Sequence, residues 1–332
     1  MTRQPRRRML LATLLALAAG AAPALAQTPA AGSAWTPDRP VRLIANGAPG
    51  SGADTAARAV AQGMAEITRA TIVVENQSGG GGAVGILAAA HSRPDGLTLL
   101  AAVSGVLLGP LIDRTLPYDV FRDLAPVSQI NRSTAVLLVN NNTPATTLRE
   151  FLDLVRAAPG RFDMGNFGYG SSSHLQGEML ARRAGVQWQP VPFQSSPPLI
   201  RDMLAGHICC GVSDLGSARE MLRDKLLRPL AVSGTGRSFL LPEVPTFAEQ
   251  GITGLEPIIW QGIFAPAGTP EPVLNFWSRA AAAALRRPEV AAVLRGNGSE
   301  TVGNTPAEFA AFLRDQQARW KAIVDETGIR IH

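Results

Sequence analysis

Cysteine is nearly absent from this 332-residue chain, which has two, Cys209 and Cys210, side by side. Adjacent cysteines have poor geometry for a disulfide, and these sit in an apolar, strand-like run. They are expected to be small buried hydrophobes, not a bridge or a metal site. Histidine is scarce too, limited to His91, His174, His207 and His332, so a catalytic triad would need a distant partner that no motif supplies. The chain has no G-x-S-x-G elbow, the sharp turn on which many hydrolases mount a nucleophile. Beyond residue 26, no run approaches the roughly 18 apolar residues of a membrane-spanning helix.

At the start of the chain, Arg6-Arg7-Arg8 is followed by an apolar run from Met9 to Ala19 and then by Ala24-Leu25-Ala26. A basic segment, an apolar stretch too short to span and a small-x-small site read as a secretory signal peptide cleaved after about Ala26. The adjacent arginines are compatible with either the general or the twin-arginine export route. The expectation is a soluble, exported, periplasmic protein. Residues 1–26 hold four arginines and no acid, so their removal lowers the formal charge from +5 to +1. A nearly neutral mature chain argues against nucleic acid as a partner. The remaining length of about 300 residues is large for one core and points to two lobes.

What the chain does have is a set of glycine-rich loops, each between a short apolar strand and a helix. The most pronounced is Gly165-Asn166-Phe167-Gly168-Tyr169-Gly170-Ser171-Ser172-Ser173-His174, which opens a helix at Leu175. The first backbone N–H groups of a helix have no partner within it, and the helix dipole favours negative charge there. Glycines let the backbone approach a ligand, and serine hydroxyls add short donors. The loop has no lysine and no nucleophile–base pair, which favours holding an anion over transforming one.

A second such unit runs from the strand Val41-Arg42-Leu43-Ile44-Ala45 through Asn46-Gly47-Ala48-Pro49-Gly50-Ser51-Gly52-Ala53-Asp54 to a helix. That helix carries Ala57, Val60, Ala61, Met64 and Ile67 on one face. A third joins the strand Thr71–Glu75 to Gly79-Gly80-Gly81-Gly82 and an alanine-rich helix. Gly80, Gly82 and Gly85 fit G-x-G-x-x-G, but the acid expected about 20 residues on is absent, since Asp95 comes too early and Asp113 too late. No dinucleotide or other cofactor is therefore expected. Further strands are read at 97–101, 135–139, 191–193, 208–212, 230–232 and 258–264, and capping boxes at Thr147–Glu150 and Thr305–Glu308. Strands alternating with helices indicate α/β lobes with mostly parallel sheets. Residues 27–38 read as a flexible leader, 39–130 with 239–332 as one lobe, and 131–238 as the other.

With these loops in view, the chain resembles the extracytoplasmic solute receptors of tripartite tricarboxylate transporters, the Bug-type family. The resemblance rests on Pro49-Gly50-Ser51-Gly52-Ala53-Asp54 with Arg58, Val73-Val74-Glu75-Asn76 with the glycine run, Pro94-Asp95-Gly96-Leu97, and Pro117-Tyr118-Asp119. It continues through Gly168–Leu175, Val191-Pro192-Phe193, Leu241-Pro242-Glu243-Val244-Pro245-Thr246 and Ala265-Pro266-Ala267-Gly268-Thr269-Pro270. It implies a type II periplasmic-binding-protein fold, with two α/β lobes joined by crossing strands and a ligand in the cleft between them. It further implies a small organic acid as ligand, held between the first glycine loop and the serine loop, and an integral-membrane permease as partner. The positions carried over are Pro49, Gly50, Ser51, Gly52, Ala53 and Asp54 in one loop, and Gly168, Tyr169, Gly170, Ser171, Ser172 and His174 in the other. Phe193 and Asp214 complete the candidate set.

Several of these residues also have plainer readings. Asp54 reads as a helix-start residue and His174 as a capping or packing residue, while Asp214 suits either a ligand amine or hydroxyl, or a loop cap. Phe193 and Trp260 read more readily as core or hinge residues than as ligand-stacking ones. The chain departs from the family pattern at Gly47, where an aromatic is usual, and at Ala53, where a hydroxyl is usual, which implies a roomier pocket. Two other functions stay open at this point. One is a receptor that signals ligand occupancy to a sensor kinase. The other is a secreted serine hydrolase using Ser172 with His174, although these lie two apart at a helix start and so do not face each other.

Overall fold

The computed structural model describes residues 35–328 apart from Thr235 and residues 256–258. The expected signal peptide and residues 27–34 of the leader lie outside the described residues, as does residue 258 of the last expected strand. Trp35, near the end of that leader, is packed: its ring stands edge-on to Phe276 at 5.2 Å and to Trp277 at 5.9 Å.

In chain order the elements are β1 (Val41–Ala45), α1 (Gly52–Thr68), β2 (Ile72–Asn76), α2 (Ala83–Ala90), β3 (Thr98–Val103), α3 (Gly105–Ile112), α4 (Val120–Asp123) and β4 (Leu124–Ser133). There follow β5 (Ala135–Asn140), α5 (Leu148–Ala157), β6 (Asp163–Asn166), α6 (Ser172–Ala184), β7 (Gln189–Pro192), α7 (Ser196–Leu204), β8 (Cys210–Asp214), α8 (Leu215–Arg223) and β9 (Leu227–Val232). The chain closes with β10 (Ile259–Pro266), α9 (Glu271–Leu285), α10 (Pro288–Gly296), β11 (Ser299–Thr301) and α11 (Pro306–Thr327).

These strands make two sheets, with orders β11-β4-β10-β3-β1-β2 and β7-β6-β8-β5-β9. Each sheet is built on three parallel strands: β2-β1-β3 in the first, and β7-β6-β8 in the second. In β3 the stretch Leu99–Ala102 is apolar throughout because apolar clusters cover both faces of the sheet, whereas β1 carries Arg42, paired with Glu75 of β2. The sheets as a whole are mixed, not mostly parallel as the alternation of elements had implied. The strands β4 and β10 run antiparallel to their neighbours, as does β5 to both β8 and β9. The reason is topological, because these are the strands that carry the chain between sheets. The first sheet hands over to the second within one residue, from β4 ending at Ser133 to β5 starting at Ala135. The return runs from β9 to β10 through the proline-punctuated 241–246 segment, whose Thr246 bridges Val232.

One apolar cluster joins the two sheets. It contains Ile44 and Leu100 from the first, Leu137, Val139 and Val212 from the second, and Phe309, Leu313, Trp320 and Val324 of α11. The α11 helix starts with the expected capping box at Thr305 and Glu308. Its Phe309 lies where a Cβ on Gly262 of β10 would fall, 2.2 Å from the ring, so residue 262 has no room for a side chain. Cys209 and Cys210 are both free, with Cys210 buried and its Sγ donating to the Asp163 carbonyl at 3.3 Å. Among the described residues, no helix is long and apolar enough to cross a membrane.

Candidate ligand-binding site

The parallel strands β1, β2, β3, β6, β7 and β8 each deliver the chain from their carboxyl end into a helix. In open α/β sheets, ligands bind outside those strand ends. Here the six following helices, α1, α2, α3, α6, α7 and α8, all start at one cavity of about 450 Å3. That volume is in the range for small-molecule sites. Its walls include Ser51 and Gly52 at the start of α1, Gly82 before α2, Ser104 and Gly105 at α3, Ser171 and Ser172 at α6, Ser195 and Ser196 at α7, and Asp214 before α8. Each start presents the positive end of a helix dipole, and five of the six present backbone N–H groups without a partner in the helix; at α7, Pro197 and Pro198 have no N–H, and the Ser195 and Ser196 hydroxyls stand in the wall instead. Among the described residues, no lysine or arginine lines the cavity, and Asp214 is the one charged wall residue. The donors that these wall residues offer an anion are peptide N–H groups, hydroxyls and side-chain amides such as Asn46 and Asn297, all of them uncharged.

The two glycine loops identified in the sequence are both present and built alike. Ser51 caps α1, its Oγ accepting from the Asp54 N–H at 3.2 Å, and Ser171 caps α6, its Oγ accepting from the His174 N–H at 3.2 Å. Gly168 and Gly170 both have positive φ, at 111° and 78°, which an L side chain resists.

Ser51, Gly52, Ala53, Gly168, Ser171, Ser172, Phe193 and Asp214 line the cavity; Pro49, Gly50, Asp54, Tyr169, Gly170 and His174 do not. Asp54 is occupied elsewhere: its carboxylate accepts from the Gly50 N–H at 3.0 Å, Asn76 Nδ2 at 2.7 Å and Arg58 Nε at 3.0 Å. Burial raises its pKa, but those three donors outweigh that and leave it below the usual carboxylate value. Tyr169 is turned to the surface, its ring edge-on to His174 at 5.2 Å and its hydroxyl donating to the Pro190 carbonyl at 3.4 Å. His174 is buried, and burial pushes its pKa down to about 4. Its Nδ1 accepts from the Gly170 N–H at 3.4 Å, so that nitrogen is engaged within its own loop and not by the Ser172 hydroxyl.

Gly47 does line the cavity, and a Cβ there would meet the Ala53 Cβ and Ser51 Oγ at 3.1 Å each. The glycine run Gly79–Gly82, read from sequence as a failed dinucleotide motif, forms another wall. Its Gly82 packs against Asn46: a Cβ there would sit 2.6 Å from Asn46 Nδ2. Wall residues that the sequence reading did not single out include Ser104, Ser195, Ser196, Asn131, Gln261, Asn297 and Ser299. The available signal was position, since Ser104-Gly105 and Ser195-Ser196 follow apolar strands as Ser51-Gly52 does. Among the described residues, no group of three or more His, Cys, Asp or Glu is placed to hold a metal ion.

Two mixed α/β lobes with a cavity at the carboxyl ends of both parallel strand sets define the class of periplasmic solute-binding proteins. Within that class the comparisons are specific, and residues 56–329 match the model of the tripartite tricarboxylate transporter family receptor. The chain belongs to that family. It is 31% identical over 297 residues to the protein BugT of Bordetella pertussis, covering 89% of this chain and 91% of BugT. Two solved structures from Rhodopseudomonas palustris superpose on nearly all of it. Rpa4515, solved with adipate, gives a TM-score of 0.85 at 29% identity and covers 89% of this chain and 99% of its own. MatC, solved with bound malate, gives 0.81 at 28% identity and covers 87% and 99%.

Proposed function

We propose that this protein is a periplasmic receptor that binds a small organic acid in the six-helix cavity and delivers it to a tripartite tricarboxylate-type membrane permease. In this reading the lobes are 39–130 with 239–332 and 131–238, and the ligand is gripped as they close on it. The carboxylate lies between Ser51-Gly52-Ala53 of one lobe and Gly168, Ser171 and Ser172 of the other. The single observation that carries the reading is the convergence of six helix N-termini, three from each sheet, on one cavity with no basic side chain. Adipate and malate in the two related receptors are of the same chemical class.

The test is a thermal-shift screen of the purified protein against mono-, di- and tricarboxylic acids. An acid at about 100 times its Kd adds about 2.7 kcal/mol, which is a rise of several degrees. The rise is expected with at least one acid and should vanish in Ser172→Leu, which fills the cavity wall at α6. If no acid raises Tm and native mass spectrometry finds none co-purified, the reading fails.

A further inference from the structure

Beside the cavity, the start of α8 in the second half of the molecule meets the end of α10 in the first, with almost no space between the two backbones. A Cβ on Gly216 would lie 2.9 Å from both the Cα and the Cβ of Asn297, and one on Gly298 would lie 3.0 Å from the Leu215 side chain. At the surface this junction is crossed twice by arginine, once from each side. Arg219 of α8 donates from Nη1 to the Gly296 carbonyl at 3.3 Å. Gly296 is the last residue of α10, where carbonyls lack helix partners and the dipole is negative, so a guanidinium suits it. In the other direction, the Arg295 guanidinium of α10 lies 4.8 Å over the Phe239 ring. Phe239 precedes Leu240 and Leu241, which pack in one cluster with Leu215 and Ala218 of α8. The return segment is therefore still on the second sheet's half at this point.

Each of these links joins one half to the other, so each exists only while the halves sit at this angle. The Leu215 N–H donates to the Thr134 carbonyl at 3.4 Å, in the one-residue crossing between β4 and β5. Thus α8 begins at the crossing, and a change of angle there moves its second turn against α10. We propose, building on the receptor reading above, that Arg219 with Gly296 and Arg295 with Phe239 form a clasp that holds the halves at the closed angle and slows release of the acid. An acid gripped by both halves binds only the closed arrangement, so its apparent Kd is the intrinsic value divided by the closed fraction. Weakening the clasp lowers that fraction and lets the acid leave sooner. An exposed cation–π contact contributes a factor of about 2–5, and with a charge-assisted hydrogen bond the pair contributes about tenfold.

The experiment is calorimetric titration and stopped-flow dissociation with malate and adipate as probes. Arg219→Ala/Arg295→Ala is expected to raise Kd about tenfold and to speed dissociation, while the ligand-free Tm moves by no more than a few degrees. Both arginines are exposed, so their truncation leaves no cavity. Phe239→Leu keeps every charge and is expected to raise Kd about threefold. Wild-type binding by Phe239→Leu would assign the double variant's loss to charge alone and overturn the clasp. Unchanged affinity in the double variant, or a Tm that falls equally with and without acid, would make the junction a fixed part of the fold and overturn it too, with the receptor reading left standing. If neither probe binds the wild type, small-angle scattering of the ligand-free protein decides. A larger radius of gyration in the double variant supports the clasp and an unchanged one overturns it, whatever becomes of the receptor reading.

Discussion

His174 is a neutral imidazole held inside a loop that must keep its shape. Burial depresses its pKa to about 4, against about 6.5 in an unfolded chain. For a base with a depressed folded pKa, the unfolded state binds the proton first. Its contribution is therefore intact above pH 6.5, is lost progressively as pH falls from 6.5 towards 4, and is constant below that. At about 1.4 kcal/mol per pH unit the loss amounts to up to about 3 kcal/mol. Urea unfolding of the wild type at pH 7, 5.5 and 4 should show this decline, and His174→Gln should flatten it. An unchanged pH slope in the variant would show that His174 is not its source. At this scale legibility was uneven. Asp54 was legible as a helix-start residue satisfying backbone donors, because an anion site seldom wants a carboxylate; its carboxylate accepts the Gly50 N–H. Gln261 had no such signal, because its partner carbonyl on Ala53 is 208 positions away.

At the scale of elements, the first residue of α1 lies against the cap of α8. A Cβ on Gly52 would lie 2.8 Å from Asp214 Oδ1, which is held in place by accepting the Ser217 N–H at 2.8 Å. Gly52→Ala is therefore expected to force either the α8 cap or the two lobes apart. Acid affinity should fall at least tenfold, while the ligand-free Tm changes by no more than a few degrees. Shortening the cap in Gly52→Ala/Asp214→Ser should restore much of the affinity, since serine caps a helix nearly as well as aspartate. Binding by Gly52→Ala at wild-type strength would show that this contact has no part in holding the ligand. The strand–loop–helix units at 41–68 and 163–184 were legible because glycine, serine and apolar periodicity are local properties. Strand direction was not, because an apolar run reads the same whether its neighbour is parallel or antiparallel. That is why β4, β5 and β10 departed from expectation.

For the molecule as a whole, the shared core predicts how the chain comes apart. Because one apolar cluster runs from Ile44 through Phe309 and Trp320 to Leu137, each sheet loses the packing of one face when the other unfolds and keeps only the cluster on its opposite face. Urea unfolding followed by tryptophan fluorescence and by far-UV circular dichroism should give one coincident transition. Phe309→Ala should shift it by about 3–5 kcal/mol, as expected for a buried aromatic. Two separated transitions would mean that the sheets are energetically independent. The capping box and apolar stripe of α11 were readable from 305–324, whereas its place over Gly262 was not. That fit depends on a strand some 45 residues earlier having no side chain at one point.

The cavity's lack of arginine and lysine has a consequence for the range over which its grip acts. A full charge attracts as the inverse of distance and reaches several ångströms into solvent. The field of a helix terminus is a partial charge backed by its opposite, and its effect fades within about one turn. A ligand held only in this way is bound firmly in place and barely at all a few ångströms away. On the proposed reading, no cationic side chain among the described wall residues can follow the anion outward, so it would leave in a single step once the two halves separate.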